Sequence, residues 1–514
     1  MTNNKEFMIT NNKIININLL CNKFKKSNEK KIGLCHGVFD LLHIGHIKHF
    51  EEAKKNCNKL VVSVTADKFV SKGTGRPAFN QEQRMQVLAS LDSIDFVILS
   101  NYPSAVEVIK KIKPYMYFKG PDYKDIKSDV TNKIIIENRA VTKNKGKIFI
   151  TKSKKYSSSS LLNNFTVMLS EDQKHFAKKI KKKFNFKQIK KKIDELKKIT
   201  PLVVGEIIID QYFFCETLGK SGKEPMLAVT DKRNEMYLGG AGAISNHISN
   251  FCEKSYLIST IGQKKEGLGF IKKKLSKTVK YNFLNKQKSP TIIKKRFIDE
   301  VSKSKLLGVY SLEENFVNSR EEKQLIKNFK KFINKSNLTI VSDYGHGMLS
   351  QKLISTIKKR SKFLAVNVQI NAANIGYHSL QNYKSVDCIV INESEIRHEM
   401  RSKNVNIHKL IKSLSHSYNI KYLVVTQGSS GSILYDNKKK IFHKSPAFAK
   451  SVTDKVGAGD AMLSILSICL YKKMDLDLTL LISSLAAAQS VQTIGNKFYV
   501  NKISLLKELE HFLS

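Results

Sequence analysis

A chain of 514 residues without Pro- or Ser-rich spacers exceeds one ordinary core, and 41% hydrophobic residues suffice to fill two. The formal net charge of +45 raises nucleic acid as a partner, yet the excess is nearly all lysine spread from end to end, with few of the arginines that read bases, so specific nucleic-acid recognition is not expected. The seven cysteines form no CxxC pair and no compact metal spacing, the start Met1-Thr-Asn-Asn-Lys5 lacks an apolar signal core, and no run reaches the length of a membrane span; a cytoplasmic chain with reduced thiols, no metal cage and no membrane contact is expected.

The first domain is placed over residues 28–165 and is organised around Gly37-Val-Phe-Asp-Leu-Leu-His-Ile-Gly-His46. Lys31-Ile-Gly-Leu-Cys35 reads as a buried strand, Gly37 allows a tight exit, and Ile44 to Lys55 has the apolar spacing of a helix. His43 and His46 then fall at a helix N-terminus. There the backbone amides and the helix dipole favour an anion, and imidazoles can bond a phosphate whose charge grows in a transition state. Strand and helix go on alternating: Lys59–Thr65, a helix from Gln81 to Leu91, Phe96–Leu99, a helix from Val106 to Ile112, and Tyr115–Phe118. This is an α/β, doubly wound pattern with a parallel sheet, whose ligands sit beyond the carboxyl ends of the strands.

Four segments follow one another in this half. They are Gly37-Val-Phe-Asp40 with His43 and His46, Gly75-Arg-Pro77 with Gln83-Arg84, Lys119-Gly-Pro-Asp-Tyr123, and Tyr156-Ser-Ser-Ser-Ser160 before Leu161. Together they resemble the nucleotidylyltransferases that carry an HxGH motif, the cytidylyltransferase-like family. The resemblance implies a Rossmann-like domain in which a sugar-phosphate oxygen attacks the α-phosphorus of a nucleoside triphosphate and pyrophosphate leaves. It makes His43 and His46 catalytic and places Gly37, Phe39, Arg84, Lys119, Ser158 and Ser159 on the nucleotide and its phosphates, with Mg²⁺ screening the triphosphate. Asp40 is expected to fix the turn. Nothing in the motifs selects ATP over CTP.

Residues 166–200 are Lys-rich, with Phe176, Ile180, Phe184, Phe186, Ile189, Ile193 and Leu196 near helical spacing. They read as a linker of helices with buried phenylalanines and a solvated lysine face, docking one domain on the other. The second domain is placed over residues 201–514. Leu202-Val-Val-Gly-Glu-Ile-Ile-Ile-Asp210 reads as one buried strand ending in a carboxylate, and Tyr237-Leu-Gly-Gly-Ala-Gly-Ala-Ile-Ser-Asn246 as a glycine-rich turn into a helix. Near the end, Asp454-Lys-Val-Gly-Ala-Gly-Asp460 precedes an apolar helix. Gly457, Ala458 and Gly459 can turn amides toward a phosphate, and Asp460 is placed to take the proton from a hydroxyl attacking a γ-phosphate.

From Leu202 onward the chain resembles the ribokinase-like sugar kinases of the PfkB family, whose GAGD motif does that work. Asn392-Glu-Ser-Glu395 fits the family's Asn-x-x-Glu pattern, so that Asn392 and Glu395 would help organise metal and phosphate. Thr426-Gln-Gly-Ser-Ser-Gly431 fits a strand-to-turn segment that puts Thr426 and Gly428 near the nucleotide. Asp210, Gly239, Gly240 and Asn246 fall where family members hold sugar hydroxyls. Ser342-Asp-Tyr-Gly-His-Gly347 resembles a segment of the sugar-phosphate kinases that are joined to nucleotidylyltransferases. Ala243 stands where close relatives carry asparagine, and Asn367-Val-Gln369 replaces Asp-Pro-Lys; both departures fall on the acceptor side and leave the sugar open.

The two halves together resemble the bifunctional enzymes of ADP-heptose synthesis, whose domains usually come in the opposite order. The expectation is an ATP-dependent sugar-phosphate kinase plus a sugar-1-phosphate nucleotidylyltransferase, using ATP and Mg²⁺ and assembling as a homo-oligomer. Two alternatives stay open: CTP-dependent activation of another sugar or polyol phosphate, and a regulatory or polyanion-binding module with a degenerate kinase half.

Overall fold

The computed structural model describes residues 12–27, 29–70, 77–120, 133–152, 169–371, 374–376, 378–449 and 451–513. The chain forms two compact units, one built on the residues up to Leu169 and the other on Ser170–Leu505.

In the first unit, β1 (Ile32–Gly37), β2 (Lys59–Thr65), β3 (Phe96–Ser100), β4 (Met116–Lys119) and β5 (Lys147–Ile150) form a parallel sheet in the order β3-β2-β1-β4-β5. Neighbouring positions along each strand feed two cores. Leu34, Val61, Ile98 and Tyr117 pack on one face and Cys35, Val62, Val97 and Phe118 on the other. This is why the strands read as continuous apolar runs. The helices Ile44–Lys55 and Val106–Ile112 keep the bounds that their spacing predicts, and the helix begun at Gln81 stops at Ala89. Strand order reverses between β1 and β4, so a crevice opens at their carboxyl ends, next to the start of the helix Ile44–Lys55.

The second unit holds two sheets. β6 (Pro201–Gly205), β9 (Ser255–Gly262), β10 (Val279–Lys286), β13 (Leu338–Asp343), β14 (Leu364–Val368), β15 (Cys388–Asn392), β16 (Tyr422–Thr426), β17 (Ser432–Asp436) and β18 (Ile441–Ser445) lie in the order β10-β9-β6-β13-β14-β15-β16-β17-β18. The ladder is parallel up to β16 and antiparallel beyond it. The smaller sheet, in the order β12-β11-β7-β8, consists of β7 (Ile207–Lys220), β8 (Leu227–Gly240), β11 (Ile293–Asp299) and β12 (Lys305–Ser311).

One expectation is corrected here. Leu202–Asp210 is not a single strand: β6 ends at Gly205, and after Glu206 the chain enters the other sheet as β7. Both segments are buried, so the apolar run hides the change of direction.

The Lys-rich stretch after Ser170 belongs to the second unit as the helices Glu171–Lys181 and Phe186–Asp194. Phe176, Ile180, Ile189, Ile193 and Leu196 are buried, while Phe184 and Phe186 are half-buried. Two of the lysines are not merely solvated. Lys179 and Lys183 reach the carboxylate of Asp477, which is 1% exposed, at 2.7 and 3.0 Å, and His443 Nδ1 lies 2.8 Å from it. Burial alone would raise the Asp477 carboxyl, but these partners hold it well below the usual range. A depressed carboxyl stabilises the folded state above its unfolded pKa and loses that contribution as pH falls. Asp477→Asn is therefore expected to cost about 1–2 kcal/mol at pH 7, the scale of a charge-assisted hydrogen bond, because the lysines left behind are 44% and 41% exposed and regain water. The gap in melting temperature from the parent protein should close as the scan is taken to pH values below the ordinary carboxylate range.

Candidate active sites

In the first unit the helix Ile44–Lys55 starts with His43 as its N-cap, whose Nδ1 accepts the Gly45 N–H at 3.1 Å. His46 lies in the first turn with its ring centroid 4.0 Å from that of His43. Phe39 and Phe50 pack against His46 from behind, edge-on and stacked, and so limit its rotamers. Two imidazoles thus stand fixed at an anion-favouring helix end. Asp40 accepts the amides of Ala78 and Phe79 at 2.7 and 3.1 Å, which ties the loop after β1 to the segment before the helix Gln81–Ala89.

The other residues expected on the nucleotide fare differently. Lys119 ends β4 and pairs with Glu137 at 2.9 Å, and the Tyr117 O–H donates to the same carboxylate at 3.0 Å. Although burial pushes Glu137 up, Lys119 outweighs it and keeps the acid ionised. Any phosphate held by Lys119 has to share the ammonium with Glu137. Arg84 is corrected: its guanidinium donates to the carbonyls of Phe79, Val38 and Thr65 and to the Asp67 carboxylate, a buried brace rather than a phosphate ligand. The ring of Phe39, 8% exposed, belongs to the core beneath His46 and over Gly37, which leaves its main chain as the part to meet a nucleotide. Ser158 and Ser159 lie outside the described residues. Glu137 and His36 were not anticipated. His36, on β1, bonds Ser63 through Nδ1 at 3.1 Å, and its only signal was a polar residue near the end of a buried strand.

In the second unit Gly457 is the N-cap of the helix Ala458–Tyr471 at φ +88°, and a Cβ there would lie 2.2 Å from Asn496 Oδ1. Only glycine meets both conditions. The amides that follow lie in the first turn, where a helix leaves them without internal partners, and Gly459 opens on free space. Asp460 accepts the Tyr344 O–H at 2.8 Å. Burial pushes its carboxyl up to about 7, with Asp210 adding to the rise and Tyr344 and Lys294 opposing it. A carboxyl that exchanges its proton near neutrality suits a general base.

Asp210 faces this group from β7, paired with Arg296 on β11. Its carboxylate fills the space over Gly239, where a Cβ would come within 2.4 Å of Oδ2. Gly240 caps the following helix, Ala241–Ser249, at φ +55°. Asn246 is corrected: its amide donates to the Lys274 carbonyl at 3.0 Å and accepts the Ser276 N–H at 2.9 Å, so it pins a loop instead of meeting a sugar. Asn392 and Glu395 form a reciprocal capping box at the end of β15, and burial raises Glu395 to about 7. The parallel register sets Asn392 beside Thr426, and Gly428 follows at φ +58° with open space above it. Tyr344, Lys294, Arg296 and Asn496 complete the neighbourhood of Asp460; Tyr344 lies in the Ser342–Gly347 segment noted above, and the alternation Lys294-x-Arg296 on a strand was the trace of the two cations in the sequence.

The pattern of the pfkB family of carbohydrate kinases matches residues 200–502, and a cytidylyltransferase-like pattern matches residues 34–164. Among curated proteins, a bifunctional protein HldE from Campylobacter jejuni (strain RM1221) is 25% identical over 298 residues, covering 57% of this chain and 61% of its own. A protein of the same name from Campylobacter curvus is 29% identical over 308 residues, covering 58% and 63%. The chain thus spans less than two thirds of the length of these relatives. Among solved structures, phosphofructokinase-2 from Escherichia coli with substrates and products superposes at a TM-score of 0.49 with 14% identity, over 61% of this chain and 99% of that one. With its family pattern running over most of the chain, from before β6 to beyond Asp460, the protein belongs to the pfkB family of carbohydrate kinases and carries a cytidylyltransferase-like domain ahead of the kinase domain.

Proposed function

We propose that the chain is a bifunctional enzyme of nucleotide-sugar synthesis, an ATP-dependent sugar-phosphate kinase and a sugar-1-phosphate nucleotidylyltransferase, of the ADP-heptose type. The observation that carries the kinase half is Asp460, at the start of an apolar helix behind Gly457, with its carboxyl near 7 and Asp210 close by. In the reaction, the acceptor hydroxyl gives its proton to Asp460 while its oxygen bonds the γ-phosphorus, and the bond from that phosphorus to the β-phosphate oxygen breaks to release ADP. The first-turn amides behind Gly457 receive the charge on the transferred group. Asp210 orients the acceptor. In the first unit an oxygen of the sugar 1-phosphate bonds the α-phosphorus and pyrophosphate leaves, with His43 and His46 receiving the charge that grows on the α-phosphate.

Among the described residues no group of three or more His, Cys, Asp or Glu side chains is set to hold a metal ion. Mg²⁺ would enter as the companion of the triphosphate, with Asn392 and Glu395 the residues of the expected pattern that would help to hold it. Its chemistry is charge neutralisation. Seven free thiols support a cytoplasmic setting, and no helix among the described residues is long and apolar enough to cross a membrane. A homo-oligomer is supported by Leu218, Met226, Leu227, Leu307 and Val309, exposed apolar residues on or beside the smaller sheet.

The test is an assay of the purified chain with Mg²⁺, each of four nucleoside triphosphates and a panel of sugar phosphates that includes heptose phosphates. ADP formation on a heptose phosphate together with ATP-dependent pyrophosphate release on heptose 1-phosphate is the expected result. Release only with CTP would move the nucleotide and the pathway, and silence in both assays would favour the regulatory reading.

A further inference from the structure

The acceptor side of the kinase site holds positive charge that the reaction scheme above leaves unused. Lys294 stands on β11 opposite Asp210 in the ladder and is 8% exposed. Its ammonium has no hydrogen-bond or ion-pair partner among the described residues; it lies over the rings of Tyr344 and Tyr310, 5.5 and 5.6 Å from their centroids, with the carboxylates of Asp210, Glu206 and Asp460 acting on it from farther off. Arg296, two residues further and on the same face, is already spent on Asp210.

Two residues beyond Tyr344, in the loop that follows β13, is His346. It is 1% exposed, and neither ring nitrogen has a hydrogen-bond partner among the described residues. Buried Lys286 donates to the main-chain oxygens of His346 and Glu313 at 2.9 and 3.0 Å, and His378 lies 3.4 Å from Asp343. Burial first, then Lys294, Lys286 and His378, pushes the His346 imidazole down to about 3, so it is neutral at physiological pH.

Burying an ammonium and an imidazole without hydrogen-bond partners is costly, a cost repaid where a ligand supplies the missing acceptors. The surrounding charge decides what kind of ligand. Sugar hydroxyls could satisfy the imidazole but would give Lys294, which feels Asp210, Glu206 and Asp460 without bonding any of them, only neutral acceptors, whereas a phosphate offers several anionic oxygens to both. The transferred γ-phosphate has its own receptor in the first turn behind Gly457. An anion held between Lys294 and His346 therefore belongs to the acceptor.

We infer that Lys294 and His346 hold the phosphate that the acceptor sugar already carries, and so make the kinase select sugar phosphates over free sugars. The inference rests on the kinase reading of Asp460, and the experiment separates the two. Inorganic phosphate is titrated calorimetrically into the full chain after magnesium AMP-PNP has filled both nucleotide sites. The parent protein should give a saturable isotherm, weakened tenfold or more in Lys294→Met and in His346→Gln, with melting temperatures showing that both variants remain folded. Asp460→Asn should keep the isotherm. An isotherm missing from the parent, or unmoved by both substitutions, overturns the inference and leaves the kinase reading standing. Should Asp460→Asn retain ADP formation, the kinase reading falls, while the calorimetry still decides whether Lys294 and His346 bind phosphate.

Discussion

Asp460→Asn should lower ADP formation on the order of 10³-fold, within the range of a lost general base, and leave pyrophosphate release unchanged. The amide keeps the shape and place of the carboxylate but cannot accept a proton. The parent enzyme carries a second signature of the same role. Because burial, aided by Asp210 and opposed by Tyr344 and Lys294, holds the carboxyl near 7, the group is protonated and inactive below that pH and ionised above it. ADP formation should rise with pH through about 7 and then level off. Tyr344→Phe, which takes away the O–H that lowers the carboxyl, should shift this limb to higher pH. A profile without the limb, or an Asn variant with undiminished turnover, would remove Asp460 from the chemistry.

His46→Ala gives the opposite pattern, a loss of pyrophosphate release on the order of 10²- to 10³-fold with ADP formation intact. The size follows from how firmly the ring is held, its centroid 4.0 Å from that of His43 and backed by Phe39 and Phe50. A donor fixed before the reaction costs no reorganisation when charge appears on the α-phosphate, so its removal falls on kcat more than on KM. Single-turnover measurement of both products on one preparation checks this. Loss of both activities in either variant would mean that the two chemistries do not occupy separate sites.

The fold was largely legible because parallel strands buried on both faces leave unbroken apolar runs, and because glycine turns mark where the chain leaves them. Candidate sites could be named from the sequence where chemistry is concentrated in a few neighbouring residues, as in His43 with His46 and Gly457 with Asp460. Reading failed where a side chain's partner is distant in sequence. Arg84 looked like a phosphate ligand because nothing local announces that Val38, Thr65, Phe79 and Asp67 surround it. Asn246 was misread in the same way, its partners Lys274 and Ser276 lying in a later loop. Lys294 and Arg296 were passed over because a charged pair on a strand has no motif, and only the register of β11 with β7 sets them beside Asp210.

The single residue between β6 and β7 has a mechanical meaning. Glu206 accepts the Tyr344 and Met348 amides through its carboxylate at 3.0 and 3.4 Å, and its main-chain oxygen receives the Ala241 N–H at 3.0 Å. Both ends of the long β7–β8 ribbon are thereby fastened at one point, to the same loop that carries Tyr344 and His346. A ribbon clamped at its root moves least near Asp210 and Gly239 and most toward the turn between Lys220 and Leu227, where Leu218, Met226 and Leu227 lie open to a second copy. The groups that meet the substrate sit at the stiff end, so the outer part of the sheet can swing while the distances around Asp460 stay nearly constant.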